Sequence, residues 1–196
     1  MKTKFVEIID DFLDKSYFDY IANKVMCDDT FPWYYSDDST YHSSKKFSIN
    51  GDEKFTQGFS NLLINNDKST CPLGDLIYPF ALKVKSYLGA REVLRVRADM
   101  CMQNPEGATH GPHVDYPGQF HYSAILYINQ TDGNTHIFNE RDSGTQVDGD
   151  NINSFTIKES IEPKPNRLVV FDGRYIHSGC SPRDHKCRKL LNSNYK

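Results

Sequence analysis

His110-Gly111-Pro112-His113-Val114-Asp115-Tyr116 is the stretch around which the rest of the chain can be ordered. In extended backbone, side chains two apart share a face, so His113 and Asp115 aim an imidazole and a carboxylate at one point. Such a pair supplies two of the three ligands of a 2-His-1-carboxylate facial triad, which leaves coordination positions open and suits non-haem Fe(II). Chance alone supplies about one His-x-Asp pair in a chain of this composition, so the pair acquires meaning only with a third ligand.

The third ligand is sought downstream. Residues 104–112 hold two Gly and two Pro and read as a loop delivering the chain to His113. Phe120 to Asn129 reads as a strand, Thr131-Asp132-Gly133-Asn134 as a turn and Thr135 to Asn139 as a return strand, which together predict a β-hairpin. Arg141 to Asn153 is polar and Gly-containing, hence loop. Short strands follow at Phe155 to Ile161, Arg167 to Phe171, Tyr175 to Ser178 and Lys186 to Asn192. His177 lies where two of these strands flank a turn, so rigid backbone can hold its ring, and it is the candidate third ligand. Arg188 then opens an apolar strand. A guanidinium buried beside a metal needs an anionic partner. A dicarboxylate cosubstrate offers one, chelating the metal at one end and receiving the bidentate Arg fork at the other.

Upstream, Phe5 to Ile9 reads as a strand. Asp14 is placed to cap a helix in which Tyr17, Phe18, Ile21, Ala22 and Val25 recur at helical spacing. Phe31 to Tyr35 is aromatic and reads as a further or edge strand, with core packing favoured over lining a cleft. Ser36 to Phe55 reads as a long surface loop. Leu73 to Leu88 predicts a second helix with Leu76, Ile77, Phe80, Ala81, Val84 and Leu88 inward and Gly89 stopping it; Val93 to Met102 alternates in part, as a strand does. Two helices followed by about eight short strands predict an α+β chain whose core is a jelly roll or barrel.

The whole composition agrees with a soluble chain. Its 196 residues are expected to form one domain, with 1–90 as support and 91–194 as core. Hydrophobic content of 38% and aromatic content of 13% argue against disorder, and a net charge of −3 gives no reason to expect a nucleic-acid partner. Five cysteines without a Cys-x-x-Cys pair speak against a disulfide framework or structural zinc. With no signal-peptide pattern and no apolar run of membrane-spanning length, the expected location is cytoplasmic, without membrane attachment.

The order His113-x-Asp115, then His177, then Arg188 resembles the Fe(II)/2-oxoglutarate-dependent dioxygenases, most closely their prolyl 4-hydroxylase-like branch. Further stretches are similar: Asn104-Pro105 and the Gly/Pro loop before His113-Val114-Asp115-Tyr116-Pro117; Tyr127 within Leu126-Tyr127-Ile128-Asn129; and Asn166 to Asp172 ahead of His177-Ser178-Gly179. The resemblance spans about residues 91 to 194. It implies a double-stranded β-helix with N-terminal helices packed on one sheet, and Fe(II) held by His113, Asp115 and His177. It implies 2-oxoglutarate chelating the iron, its 5-carboxylate on Arg188 and Tyr127. O2 is the co-reactant, ascorbate an accessory reductant, and succinate and CO2 the co-products of hydroxylating a prolyl residue in a peptide or protein.

Two departures mark this chain. The Ser-Pro-Arg-Asp-His insert between His177 and Arg188 brings Arg183 and Lys186 forward as rivals for the distal carboxylate, and position 103 is Gln103 where relatives offer a tyrosine. Two other readings stay open: a hydroxylase of a free amino acid or other small molecule, and a non-catalytic metal-binding barrel serving as a binding module. Of the other histidines, His110 is expected at a pocket rim or in solvent, while His121 and His136 are expected to belong to the hairpin. Specificity is expected in the loops 36–55 and 139–153.

Overall fold

The computed structural model describes residues 6–37, 57–142 and 155–196. The second helix shows how local sequence builds the support. α2 (Pro72–Leu88) starts with proline in its first turn, carries Asp75 near its N-terminus and Lys85 in its last turn, and so matches the helix dipole at both ends. It ends where Gly89 takes a left-handed φ of 62°, with Ala90 N–H donating to the Lys85 carbonyl and Gly89 N–H to that of Ser86. Pro79 lies inside the helix and strains the preceding turn. There the Tyr17 hydroxyl accepts from Phe80 N–H (3.2 Å) and donates to the Leu76 carbonyl (2.9 Å), the two groups that bond each other in an unbroken helix. The proline thus becomes the tie between the two helices.

That first helix departs from the sequence reading. α1 (Lys15–Asp19) continues as a π-helical segment, Tyr20–Met26, and Asp14 occupies the N-cap without a side-chain cap hydrogen bond. Burial of Phe18, Ile21, Ala22, Val25 and Met26 in the core sets the path of this segment.

The strands are β1 (Val6–Ile9), β2 (Tyr34–Ser36), β3 (Gly58–Asn65), β4 (Lys68–Ser69), β5 (Val93–Met102), β6 (Tyr122–Tyr127), β7 (Thr135–Arg141), β8 (Ile157–Ile161), β9 (Leu168–Asp172), β10 (Tyr175–Gly179) and β11 (Cys187–Tyr195). The large antiparallel sheet runs β1-β9-β6-β11-β5-β3-β2, with β4 on β3; the small one runs β10-β7-β8. This is the expected jelly roll. Side chains alternate across the large sheet. Ala98, Ala124, Leu126 and Leu191 face the helices in one core, while Ile125, Tyr127 and Leu190 meet Ile137 and Ile161 of the small sheet in another.

One sequence expectation needs correcting, and one strand was not anticipated. β6 and β7 are not a hairpin: β6 pairs with β9 and β11, whereas β7 pairs with β10 and β8. The intervening turn is a crossing between sheets. Thr131 and Thr135 at its ends are each 1% exposed, where a hairpin tip would face water. β3 gave no strand signal because Ser60 and Asn61 interrupt its apolar run; pairing with β2 and β5 makes it a strand.

α2 crosses β3 closely at Gly74. A Cβ there would lie 2.1 Å from the Leu63 carbonyl oxygen, and backbone cannot step aside as a flexible side chain can. Gly74→Ala is expected to cost about 1–3 kcal/mol in denaturant unfolding. An unchanged midpoint would show that the crossing is loose.

Candidate metal centre and cosubstrate cleft

His113 and His177 are placed by one exchange of backbone hydrogen bonds. His113 N–H donates to the His177 carbonyl (2.9 Å) and His177 N–H to that of His113 (3.0 Å). Residues opposed in this way in an antiparallel pair present their side chains on the same face. Their ring centroids lie 4.6 Å apart. The stretch before Asp115 is therefore not a regular strand but a single bridge onto β10, and this suffices to aim the pair.

Each imidazole is also fixed in rotation. His113 Nδ1 pairs with the Gly111 carbonyl at 2.9 Å and His177 Nδ1 with that of Tyr175 at 3.1 Å. A carbonyl only accepts, so each Nδ1 carries a proton and Nε2 is the atom each ring can offer a metal. Asp115 crosses to the large sheet. Its side chain is 3% exposed, with Oδ2 3.6 Å from His177 Nε2. The ligand atoms of His113, Asp115 and His177 lie within 4.8 Å of one another, and among the described residues they are the one such group.

Electrostatics favour the neutral imidazole of His113 and the carboxylate of Asp115. Burial, then the neighbouring His177, lowers the His113 imidazole from 6.5 to about 4. Burial pushes the Asp115 carboxyl up, but Arg95 and the two imidazoles outweigh it, and it ends well below the usual carboxylate range. The His113 shift has a stability consequence. Between about pH 6.5 and 4 the unfolded chain takes a proton that the folded one refuses. The stabilisation from neutral His113 is thus complete above about 6.5 and is lost as pH falls towards 4. The metal-free protein should lose thermal stability across that window, with a shallower slope in His113→Gln; equal slopes would contradict the assignment.

The cleft that starts at the two histidines ends at Arg188 and encloses about 750 Å³, its mouth included. Ile125 and Leu190 line it between these ends. Arg188 is 5% exposed and has no carboxylate within ion-pair distance among the described residues. It donates to Thr135 Oγ1 at 2.6 Å, touches Cys101 Sγ at 3.9 Å and lies 5.6 Å from the Tyr127 ring centre, while its Nε has no partner. Gly179 makes room for it, since a Cβ there would lie 2.8 Å from an Arg188 guanidinium nitrogen. Tyr127 is fully buried and donates to Thr135 Oγ1 at 2.7 Å. That hydroxyl therefore accepts twice, and its own hydrogen remains free to donate to a ligand. A buried cation without an anion, beside a hydroxyl with a hydrogen to give, fits a carboxylate.

The remaining sequence candidates fall outside this arrangement. Arg183 and Lys186 are exposed and do not line the cleft. Gln103 is exposed, with its amide donating to the Arg183 carbonyl. His110 is not in solvent: it is 6% exposed, pairs with Ser181 Oγ at 2.9 Å and lines the cleft. His121 is buried against Gly173 and Tyr116. His42, nearly all of the 36–55 loop and most of 139–153 lie outside the described residues.

Sequence reading passed over Thr135, the Asp115 partners Arg95, Ser123 and Asn194, and the Arg97–Asp99 ion pair on the cleft wall. A signal was there. Polar residues at period two in a strand otherwise apolar, Arg95-x-Arg97-x-Asp99, mark an inner face that is buried yet not greasy, and the polar run Asn192-Ser193-Asn194 lies on the strand beside it.

Residues 100–196, which carry both histidines, Asp115, Tyr127 and Arg188, match the family model of the 2OG-Fe(II) oxygenase superfamily. This chain belongs to that superfamily. No curated protein sequence matches the oxygenase. Among solved structures it is similar to a prolyl-4-hydroxylase from Pseudomonas putida, at 15% identity and a TM-score of 0.60, covering 99% of this chain and 94% of that one. It is similar to a prolyl hydroxylase from Trichoplax adhaerens, solved with a hypoxia inducible factor oxygen degradation domain peptide fragment, at 13% identity and a TM-score of 0.64, covering 98% and 84%. The epimerase SnoN, in complex with Fe3+, alpha ketoglutarate and nogalamycin RO, is similar at 11% identity and a TM-score of 0.59, covering 98% and 78%. At these identities the likeness is one of fold. The oxygenase's cofactors are Fe(II) and 2-oxoglutarate, and the donor set and the anion-seeking Arg188 fit both.

Proposed function

We propose that the oxygenase hydroxylates a prolyl residue in a peptide or protein, with Fe(II) held by His113 Nε2, Asp115 and His177 Nε2. In this reading the distal carboxylate of 2-oxoglutarate lies on Arg188 and the Thr135 hydroxyl, with Tyr127 acting through Thr135. The observation that carries it is one cleft lined by His113 and His177, whose ligand atoms lie within 4.8 Å of that of Asp115, and by the buried Arg188, which among the described residues has no carboxylate partner. The balance is substrate C–H, O2 and 2-oxoglutarate giving C–OH, succinate and CO2. Fe(II), when bound, would activate O2, whose four electrons come in the balance from 2-oxoglutarate and the substrate C–H, two from each.

The chain's own residues do the rest. The Nδ1 bonds to Gly111 and Tyr175 hold both rings in the binding tautomer. Arg188 fixes the cosubstrate end to end through its far carboxylate, a bidentate anchor that sets orientation. Ile125 and Leu190 exclude water between the two ends. The prolyl assignment is supported by the named activities of the Pseudomonas and Trichoplax structures.

A second reading has its own observation. Arg97 and Asp99 pair on the cleft wall at 2.5 Å, one charge of each sign, an arrangement complementary to the carboxylate and ammonium of a free amino acid. Prolyl peptides and free amino acids, each incubated with Fe(II), 2-oxoglutarate and O2 and scored for a mass gain of one oxygen, test both. Gain on peptides supports the first reading, gain on amino acids alone the second. Succinate production with neither would count against both.

A further inference from the structure

We infer that Asp132 closes a collar of backbone around Arg188 and so holds the guanidinium in the cleft, which makes Asp132 a positioning residue for 2-oxoglutarate. The inference rests on the cosubstrate reading above and concerns a residue that does not line the cleft.

The collar is the crossing between the sheets, residues 129–135, lying against the insert Ser181 to His185. At its start Asn129 brackets Arg188 along β11. Its side chain accepts from Lys189 N–H at 2.8 Å and donates to the Cys187 carbonyl at 2.9 Å. At its end Thr135 meets the guanidinium itself. Between these points the chain lies flat on the Arg188 stem. A Cβ at Gly133 would lie 3.0 Å from Arg188 Cδ, 2.5 Å from the Cys180 carbonyl oxygen and 3.2 Å from Pro182 N. A side chain there would force the arginine and the insert apart.

Asp132, next to Gly133, fastens the insert to the crossing. Its Oδ2 accepts from Arg183 N–H at 2.8 Å and from Asp184 N–H at 3.0 Å, and its Oδ1 pairs with His185 Nδ1 at 2.7 Å. Burial pushes this carboxyl up, but the Arg183 N–H, His185 and the Asp184 N–H outweigh it and bring it down to about 2. The far side of the insert is fixed independently. Asn104 N–H donates to the Pro182 carbonyl (2.8 Å), Ser181 N–H to that of Ala108 (2.8 Å) and Gln103 Nε2 to that of Arg183 (2.6 Å). The two departures seen in the sequence, the insert and Gln103, therefore bond to each other.

The arginine needs such a collar. A buried guanidinium without an anion is better solvated outside, and a long side chain can carry its head to water. Packing on the stem prevents this. With the clasp open, Arg188 must be ordered again whenever the carboxylate arrives, and that cost is subtracted from affinity.

Two ligands of the Mn(II)-loaded protein, titrated by calorimetry without O2, separate this role from general support of the fold. One is 2-oxoglutarate; the other is oxalate, which chelates a metal but has no far carboxylate. In Asp132→Ala the Kd for 2-oxoglutarate is expected to rise about tenfold or more. The Kd for oxalate is expected to stay within about twofold of wild type. Asp132→Asn, whose amide oxygen can still accept from both backbone N–H groups, is expected to restore most of the loss. Should Asp132→Ala fail to fold, Asp132→Ser, with one shorter acceptor, carries the same comparison. Unchanged 2-oxoglutarate affinity overturns the inference, as does a parallel loss for both ligands, which would mark Asp132 as a residue of the fold alone. A wild type that binds oxalate but not 2-oxoglutarate would instead remove the cosubstrate reading itself.

Discussion

Arg188→Met is expected to weaken 2-oxoglutarate binding about a hundredfold and, in the same protein without ligands, to raise thermal stability. Both effects have one cause. The Arg188 guanidinium is 5% exposed and meets hydroxyl, thiol and aromatic groups but no carboxylate among the described residues. An unpaired buried charge is a standing cost to the fold, and methionine of similar length removes it. Replacing buried ionic groups by apolar ones stabilises by about 1–4 kcal/mol, which for this length corresponds to a rise of several degrees in melting temperature. The binding loss follows from removing a charged fork from a desolvated carboxylate, about 2–5 kcal/mol. Calorimetric titration and a thermal melt check the two halves. A variant both less stable and normal in 2-oxoglutarate affinity would mean that Arg188 is a packing residue.

His177→Ala should lower metal affinity more than a hundredfold while leaving the β-sheet signal intact. Disturbing a residue that merely supports a ligand costs about 10–100-fold, so loss of a ligand exceeds that range. The backbone exchange between positions 113 and 177 survives the substitution, because it uses main-chain atoms only. Metal titration followed by Mn(II) signal loss on binding reads the effect. Affinity within tenfold of wild type would place the metal elsewhere. His113→Ala serves as the companion, with the same expectation.

The proposed metal ligands and the arginine were legible in the sequence because their order along the chain carries the information, whereas Thr135 was not. His113, Asp115, His177 and Arg188 are separated by strand-like segments of the right number, and chemistry alone demands an anion for Arg188. What surrounds them was not legible. That Arg95, Ser123 and Asn194 share one carboxylate depends on the register of β5, β11 and β6, and sequence alone does not show register. The same limit explains the hairpin error. Thr131 to Asn134 has good turn chemistry, yet the strands on either side of it belong to different sheets, and only burial of Thr131 and Thr135 distinguishes a crossing from a tip. β3 was missed for a related reason, since its strand character comes from neighbours and not from its own composition. Helix α2 lay at the other extreme. Its proline start and Gly89 stop are local, so its boundaries were readable to within a residue.

The account's central claim is that one cleft holds Fe(II) at His113, Asp115 and His177 with 2-oxoglutarate running from the metal to Arg188. Visible absorption of the protein with Fe(II) and 2-oxoglutarate under anaerobic conditions tests it most directly. The account predicts a weak metal-to-ligand charge-transfer band in the wild type, absent in His177→Ala and reached only at far higher 2-oxoglutarate in Arg188→Met. A folded protein that binds iron and shows no band at saturating 2-oxoglutarate would contradict it.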